Sequence, residues 1–473
     1  MTNDSPDAIR KRRHRNERIA ATILVVIVAA GTAGIVAWQN RITEELREDT
    51  SYIPKKEKIT PEILLLQEYV RIDTSTPEGA ARGARWLHAL LAKHGVKAEI
   101  IESAPGRLNV YARIRGRSQG DGLLLFNHID VVSPGKERWA APPFEARIFA
   151  NQLWGRGALD MKALALCQLL AFLEQAKRAR APEHDLVFLA TCDEETGSPY
   201  GMQWIIDHRP DVIAGIRYGL TEGGVTEMLS EQMTYFGIEV GGKQVVKLNL
   251  GANDLESLRR ARIALEPFMV THEPERVLPV VEEYFRAKAP TRLAYREHLA
   301  DIHKTIREGR FWSLPPSYRE LTRNTLFVYA PQQTNDGWTM AVVLSNLPGE
   351  RSEPRLEWLS GIVAPYGVRI AKITHNEGPV PVSPHETPLF EMLIAESKRR
   401  YRTEAGVEVL YRSVTDSRFL RPLGIICYGL SPYPVDFHQS VTIHRANERI
   451  RLDAFMEGVG FMQTVIRQWS SGL

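Results

Sequence analysis

Cysteine is scarce in this sequence of 473 residues. Its three cysteines, Cys167, Cys192 and Cys427, are scattered among apolar neighbours. A disulfide framework or a cysteine-based zinc site needs cysteines at close, paired spacings, so neither is expected. The sequence also has little excess charge of either sign, because 60 Lys and Arg stand against 57 Asp and Glu. That balance argues against nucleic acid as the main partner.

Long hydrophobic runs are missing with one exception, the uncharged residues 19–38. Six Lys and Arg precede this run within residues 10–18. A helix of about twenty residues spans roughly the 30 Å of a bilayer. We expect a single-pass membrane anchor with its basic flank in the cytoplasm and the rest outside it, in the periplasm if the organism is a bacterium. Two alternatives stay open: a core helix, which would carry a polar face, and a cleaved signal peptide, whose apolar part is usually shorter.

The rest of the chain is too long for one core. From about residue 61, helical segments alternate with strand-like ones, which is typical of an α/β sheet covered by helices on both faces. A strand-helix-strand-strand-helix-strand order in the middle indicates an inserted α+β lid of ferredoxin-like type. The expected organisation is a basic cytoplasmic segment at 1–18, a transmembrane anchor at 19–39, a tether at 40–60, a catalytic domain at 61–240 and 378–473, and the lid domain at 241–377.

The apolar run LLLFNHIDVV, residues 123–132, contains two polar residues that a buried strand would not normally hold, His128 and Asp130. They share one face of the strand, because side chains repeat every second residue. Imidazole is a common metal ligand, and a carboxylate is a common partner that orients such an imidazole. Alone, the pair is more often an ordinary strand end.

Further carboxylates occur where apolar segments end. Asp160 follows the glycine turn of LWGRGALDMK, Glu194 and Glu195 follow the strand LVFLATC, and Glu222 lies in LTEGG. Asp160 by itself could be a helix cap. Adjacent acidic residues repel one another unless a cation neutralises them, although a solvated turn would also tolerate them.

Histidine and carboxylates together suit a metal centre. His444 lies in TIHRANERI near the end of the chain and adds a second imidazole to the set. Strand ends of an α/β sheet converge where such sheets place their active sites. Imidazole mixed with hard oxygen ligands favours Zn²⁺, and a bridging carboxylate would hold two ions.

Five motifs in this order resemble one known family. They are FNHID (126–130), WAAPPFEARIFANQLWGRGALDMK (139–162), TCDEETGSPYG (191–201), SVTDSRF (413–419) and IHRANERI (443–450). The family is that of the di-zinc exopeptidases and amidohydrolases, which includes aminoacylase, carboxypeptidase G, acetylornithine deacetylase, succinyl-diaminopimelate desuccinylase and carboxypeptidase S. The resemblance covers about residues 60–473, and its layout is closest to the membrane-anchored carboxypeptidase S branch. It implies a zinc-exopeptidase-like mixed sheet with a lid.

The resemblance also implies a role for each site residue. One zinc would be held by His128 and Glu222, the other by Glu195 and His444, and Asp160 would bridge the two ions. Asp130 would orient His128, and Glu194 would be the general base. His438 is the alternative to His444, but the IHRANE context favours His444.

The lid departs from the family pattern. The family normally carries a histidine in a Gly-His-Ser type stretch after the first lid strand, whereas this chain reads KLNLGANDLESLRRA at 247–261. The family also places an arginine three residues before a Pro-Gly, and here Ser345 stands at that position. We therefore expect a lid that supplies neither histidine nor arginine to the substrate, and no substrate-binding residue is assigned.

The sequence supports a membrane-anchored, zinc-dependent hydrolase that cleaves an amide bond of a small peptide or N-acyl amino acid. The alternative is a zinc-binding relative that acts as a binding or structural module with little turnover. A purely structural scaffold would leave the carboxylate cluster without a purpose. The expected partners are a small-molecule or short-peptide substrate and the membrane, with no nucleic acid; the sequence does not indicate an oligomeric state.

Overall fold

The structure, a computed structural model, describes residues 58–229, 231–270, 275–334, 337–376, 378–410 and 415–472. Within them the helices are α1 (Pro61–Arg71), α2 (Pro77–Lys93), α3 (Lys162–Ala176), α4 (Met202–His208), α5 (Leu255–Val270), α6 (Pro279–Lys288), α7 (Arg296–Ala300), α8 (Ile302–Arg307), α9 (Pro316–Arg319), α10 (Glu353–Val363), α11 (Pro388–Tyr401), α12 (Ser417–Leu420), α13 (Phe437–Ser440) and α14 (Leu452–Ser471).

The strands in the same residues are β1 (Ala98–Ala104), β2 (Arg107–Ile114), β3 (Gly122–His128), β4 (Arg147–Phe149), β5 (Gln152–Trp154), β6 (Leu186–Thr191), β7 (Ile216–Thr221), β8 (Thr226–Leu229), β9 (Gln232–Gly242), β10 (Gln244–Ala252), β11 (Thr325–Val328), β12 (Gln332–Thr334), β13 (Gly337–Asn346), β14 (Arg369–Asn376), β15 (Glu404–Leu410), β16 (Ile426–Gly429) and β17 (Arg449–Arg451).

Threonine caps followed by proline start the first two helices. Thr60 accepts a hydrogen bond from the backbone N–H of Ile63, and Thr76 accepts one from Gly79. Proline occupies the next position in each case, where its missing N–H is not needed and its fixed φ already suits a helix. The predicted helix start at Pro61 is confirmed.

The large sheet has the strand order β1-β2-β6-β3-β7-β16-β9-β15, and β8 pairs with β9. It is a mixed sheet: β3 runs parallel to both β6 and β7, whereas β1, β2 and β6 are joined by antiparallel pairs. The mixed α/β class expected from the sequence is confirmed.

Alternate residues of β3 enter two different cores. Leu123 and Leu125 pack in the core on one face of the sheet, and Leu124 and Phe126 pack in the core on the other. Helices α3 and α14 contribute to the first core, and α4 contributes to the second. This double burial explains why LLLF is apolar throughout instead of alternating with polar residues.

A second sheet with the order β11-β13-β10-β14 is built entirely from the middle of the chain. All of its pairs are antiparallel, and β12 adds to β13. Its own core includes Val246 and Leu248 of β10, Leu258 of α5 and Leu359 of α10. This is the strand order of the expected ferredoxin-like lid; the domain boundaries at 241 and 377 stay predictions.

Helices α6 to α9 differ from the sequence-based expectation, which placed them in the lid. Their apolar residues Val281, Phe285 and Leu299 belong to the core of the large sheet, not to the core of the second sheet. Lys288 at the end of α6 is buried there, with its Nζ 3.1 Å from Glu408 of β15. The apolar residues of these helices therefore share the core of the large sheet, and α6 packs against β15.

The expected single-pass membrane localisation is corrected. Among the residues that the structure describes, no helix combines the length and the apolar character needed to cross a bilayer. The predicted basic segment at 1–18, the anchor at 19–39 and nearly all of the tether at 40–60 lie outside the described residues. The membrane assignment is therefore withdrawn.

Candidate metal centre

Three neighbouring parallel strands bring the first site residues together. In the order β6-β3-β7, His128 is the last residue of β3, the acidic run 193–195 follows β6, and Glu222 follows β7. The carboxyl ends of parallel strands lie at one edge of a sheet, where α/β proteins place their ligand sites. The predicted convergence of these three motifs is present in the structure.

Asp160 lies between the two histidines. Its Oδ1 is 3.2 Å from Nε2 of His128, and its Oδ2 is 2.9 Å from Nε2 of His444. One carboxylate thus faces two imidazoles with separate oxygens. A bridging ligand of two metal ions requires this arrangement.

Each histidine also faces a second carboxylate. Nε2 of His128 is 3.6 Å from Oε1 of Glu222, and Nε2 of His444 is 3.1 Å from Oε1 of Glu195. Ligand atoms of His128, Asp160 and Glu195 lie within 4.8 Å of one another, and so do those of His128, Glu194 and Glu222. Both of these clusters contain His128, and the histidine–carboxylate distances join His128 to Glu222 and His444 to Glu195, with Asp160 beside both histidines. The assignment of these residues to two ions stays a prediction.

Asp130 contacts His128 through its backbone rather than through its carboxylate, and its predicted orienting role stays a prediction. His128 Nδ1 lies 2.8 Å from the backbone oxygen of Asp130 but 3.8 Å from its carboxylate. The carboxylate accepts hydrogen bonds from the backbone N–H groups of Glu194 and Glu195, at 3.2 and 3.1 Å. The backbone of Asp130 orients the imidazole, and its side chain holds the loop that carries Glu194 and Glu195.

Glu194 lies in a nearly closed environment. Its Oε1 is 3.7 Å from Nη1 of Arg418, and the other Nη of Arg418 is 3.8 Å from Asp416. Asp416 in turn accepts hydrogen bonds from Ser198 and Thr191. Burial raises the pKa of Glu194 well above its usual value. Such a shift favours a carboxylate that takes up and releases a proton near neutral pH.

The pKa values of two other acids and of His444 are also shifted. Burial, with the nearby Asp160 carboxylate, raises the pKa of Glu222 to about 7. Burial raises the pKa of Asp130 to about 6. Hydrogen bonds to Asp160 and Glu195 raise the pKa of His444 to about 10. Buried carboxylates this close repel one another unless cations lie among them, so the donor set fits a divalent metal pair.

Glu448, to which sequence reasoning gave no role, fixes the loop that presents Asp160. It is fully buried and accepts hydrogen bonds from Arg156 Nη1 (2.6 Å) and from the backbone N–H groups of Gly157 (3.0 Å), Leu159 (2.8 Å) and Asp160 (3.1 Å). Gly157 has φ +84°, and a Cβ there would lie 2.7 Å from Val131. A sequence signal for Glu448 existed, because this glutamate lies four residues after His444 in the motif IHRANERI.

His444 and His438 are clearly separated by their surroundings. Both histidines are exposed to solvent, but His438 lies on α13 and His444 faces Asp160 and Glu195. His444 has φ +61°, a backbone conformation that residues with side chains rarely adopt. The antiparallel pair β17 and β5 ties the His444 segment to the Asp160 loop. The preference for His444 agrees with this geometry.

A cavity of about 680 Å³ opens beside these residues. One wall contains the site carboxylates, His444 and Arg418, and another contains Lys247, Thr374 and His375 of the second sheet. Ser345 is not among the lining residues. His375 lines the cavity from β14, not from the stretch after β10. The expectation that the lid supplies no histidine to the substrate stays a prediction.

Comparisons with known proteins agree on one family. The model of peptidase family M20/M25/M40 matches residues 124–468. A succinyl-diaminopimelate desuccinylase of Bradyrhizobium sp. (strain ORS 278) is 33% identical over 160 residues, which are 32% of this chain and 41% of that protein. The match thus spans about two fifths of this curated relative.

Solved structures show the same fold at low identity. The M20 family metallo-carboxypeptidase Sso-CP2 from Sulfolobus solfataricus is similar with a TM-score of 0.67 at 19% identity, over 87% of this chain and 100% of that one. The dipeptidase Dug1p from Saccharomyces cerevisiae is similar with a TM-score of 0.63 at 13% identity, over 87% of this chain and 96% of that one.

Proposed function

The chain belongs to peptidase family M20/M25/M40, and we propose that it hydrolyses the amide bond of a small peptide or N-acyl amino acid with two zinc ions and Glu194 as the general base. That it is a metal-dependent hydrolase follows from the family. The identity of the metal, the role of each residue and the substrate class are parts of the proposal.

The observation that carries the proposal is the position of Asp160. Its two oxygens face different histidines, at 3.2 and 2.9 Å, and each histidine has its own second carboxylate. His128 and Glu222 would hold one ion, and Glu195 and His444 the other, with Asp160 between them. A metal pair of this type polarises a carbonyl oxygen and activates water.

Glu194 is suited to move the proton. It lies in the same cavity as the ligands, its carboxylate belongs to the same cluster, and its backbone is fixed by Asp130. It would accept a proton from the attacking water and deliver that proton to the leaving amine nitrogen. Arg418, 3.7 Å from Glu194, would limit how far the pKa of this carboxylate rises.

The substrate proposal rests on the cavity and on the relatives. About 680 Å³ suits a small ligand rather than a folded chain. The similar proteins include a desuccinylase, a carboxypeptidase and a dipeptidase, all of which cut amide bonds of small molecules or peptides by their names.

The test is hydrolysis of a panel of N-acyl amino acids and dipeptides by the zinc-loaded full chain and by Glu194→Gln. We expect turnover by the wild type, loss of about 10²–10⁴ in rate or more in Glu194→Gln, and equal metal content in both. Equal rates in the two proteins would show that Glu194 is not the base. A metal-loaded wild type that turns over none of the panel would instead favour a binding module.

A further inference from the structure

Lys247 and His375 of the second sheet face the metal ligands across the cavity. Both line the cavity that also holds Asp160, Glu195 and His444. In the sheet they are directly opposite each other, Lys247 on β10 and His375 on the edge strand β14. Directly opposed residues project from the same face with their Cβ atoms about 4.5–5.5 Å apart.

The core of the second sheet explains the direction of Lys247. Its neighbours Val246 and Leu248 are buried against helices α5 and α10. Because side chains alternate along a strand, Lys247 must project from the opposite face. A lysine on an open sheet face is ordinarily a solubility feature, so its position alone would decide nothing.

A β-bulge at Thr374 adds the second argument. Lys247 pairs with His375 and Leu248 pairs with Ile373, which leaves Thr374 as the extra residue. Its hydroxyl donates a hydrogen bond to the backbone oxygen of Lys247 at 3.0 Å, which fixes the bulge. Bulges redirect side chains and are frequent beside active sites. Here Thr374 and His375, although consecutive, both line the cavity.

The chemistry of the pair selects the ligand. A lysine ammonium and an imidazole N–H side by side are hydrogen-bond donors that suit a carboxylate. Two further side chains of the cavity wall can carry positive charge, and both lie beside acids: Arg418 beside Glu194 and Asp416, and His444 beside Asp160 and Glu195. The wall formed by the second sheet therefore offers donors to a carboxylate of a ligand that lies away from the metal ligands.

We propose that Lys247 and His375 bind a carboxylate of the substrate and set the specificity of the enzyme for anionic substrates. The proposal rests on the proposed function for the bond that is cut. The two residues stand at other positions than the family resemblance indicates. That resemblance places a histidine in the stretch after β10 and an arginine where this chain has Ser345.

Three probes that differ in charge test the proposal: N-acetyl-leucine, N-succinyl-leucinamide and N-acetyl-leucinamide. They place a carboxylate on the amine side, on the acyl side or nowhere. We expect the full-length wild type to prefer at least one anionic probe by about 10–100-fold in kcat/KM, the range of charge-assisted hydrogen bonds. Lys247→Met and His375→Gln should each reduce that preference, because kcat/KM falls more for the anionic probe than for N-acetyl-leucinamide.

Two further variants separate the pair from general charge effects. Lys247→Arg keeps the charge and should keep the preference. Lys372→Met removes the same charge from an exposed position of β14 that does not line the cavity, and it should behave as wild type. Equal effects of Lys247→Met and Lys372→Met, or no preference for either anionic probe in the wild type, would overturn the proposal.

Binding measured without turnover distinguishes this proposal from the proposed function. The three probes are titrated calorimetrically into Glu194→Gln with and without Lys247→Met. Anion-selective binding that depends on Lys247 supports the recognition pair even if the wild type hydrolyses none of the probes. Hydrolysis without anion-selective binding supports the proposed function and refutes the recognition pair.

Discussion

Replacing Asp130 by asparagine tests how Glu194, the proposed general base, is held in place. The carboxylate of Asp130 accepts two backbone hydrogen bonds with separate oxygens, from Glu194 at 3.2 Å and Glu195 at 3.1 Å. Asparagine has one acceptor oxygen, and its NH₂ group would face the other N–H donor. One hydrogen bond is therefore lost, and the backbone oxygen that contacts His128 is unchanged.

The size of the effect follows from that lost bond. A hydrogen bond to a charged group contributes about 1.5–3 kcal/mol net. Residues that orient metal-site groups from behind typically change activity by about 10–100-fold when they are replaced. We therefore expect Asp130→Asn to lower kcat/KM by about 10–100-fold, while His128 stays oriented and its zinc stays bound.

Steady-state kinetics and metal content, measured on the same preparations, decide the point. Asp207→Asn is the matched control, because Asp207 is an exposed aspartate on α4 away from the site. Wild-type kcat/KM in Asp130→Asn would refute the positioning role. Loss of about one zinc per chain would instead mean that the Asp130 carboxylate acts on His128, as the sequence alone suggested.

Other predictions follow from buried charges. Glu448→Gln should lower the free energy of unfolding, measured in urea, by about 3–5 kcal/mol, because Arg156 loses its buried partner. The control is the half-exposed pair of Arg467 and Glu174. Arg467→Gln should change the free energy of unfolding by less than about 1 kcal/mol. Equal effects of the two substitutions would contradict the bracing role of Glu448. Burial lowers the pKa of Lys162 to about 7 from its ordinary 10.5. The unfolded chain then binds more protons between those values, so wild-type stability relative to Lys162→Met should rise as pH increases from about 7 to 10. Thermal unfolding of both proteins across that range is the measurement, and a constant difference would show that Lys162 stays charged when folded.

The sequence indicated the candidate site residues better than it indicated the residues that hold them in place. His128, Glu194, Glu195 and Glu222 were candidates because each ends or follows an apolar segment, and parallel strand ends meet at one edge of the sheet. Asp160, His444 and the expected role of each residue came from the family resemblance of the motifs. The backbone contact of Asp130 to His128 could not be read in this way. Whether a carboxylate or its own carbonyl faces a ring depends on local geometry, not on spacing.

Other features could not be predicted because they depend on contacts between distant parts of the chain. Glu448 and the loop around Asp160 are joined only by folding, since their hydrogen bonds span nearly 290 positions of the chain. Helices α6 to α9 have apolar faces that would suit either sheet, and only the tertiary structure assigns their residues to the core of the large sheet. His375 lines the cavity next to a bulge in an edge strand. The alternation of polar and apolar residues in the sequence does not reveal such a bulge.

Anomalous diffraction at the zinc edge, from crystals of the full chain grown with zinc, tests the central claim most directly. The account predicts two peaks about 3.5–4 Å apart, one beside His128 and Glu222 and the other beside His444 and Glu195, with Asp160 between them. A single peak that does not contact Asp160, or no peak at these residues, would contradict it.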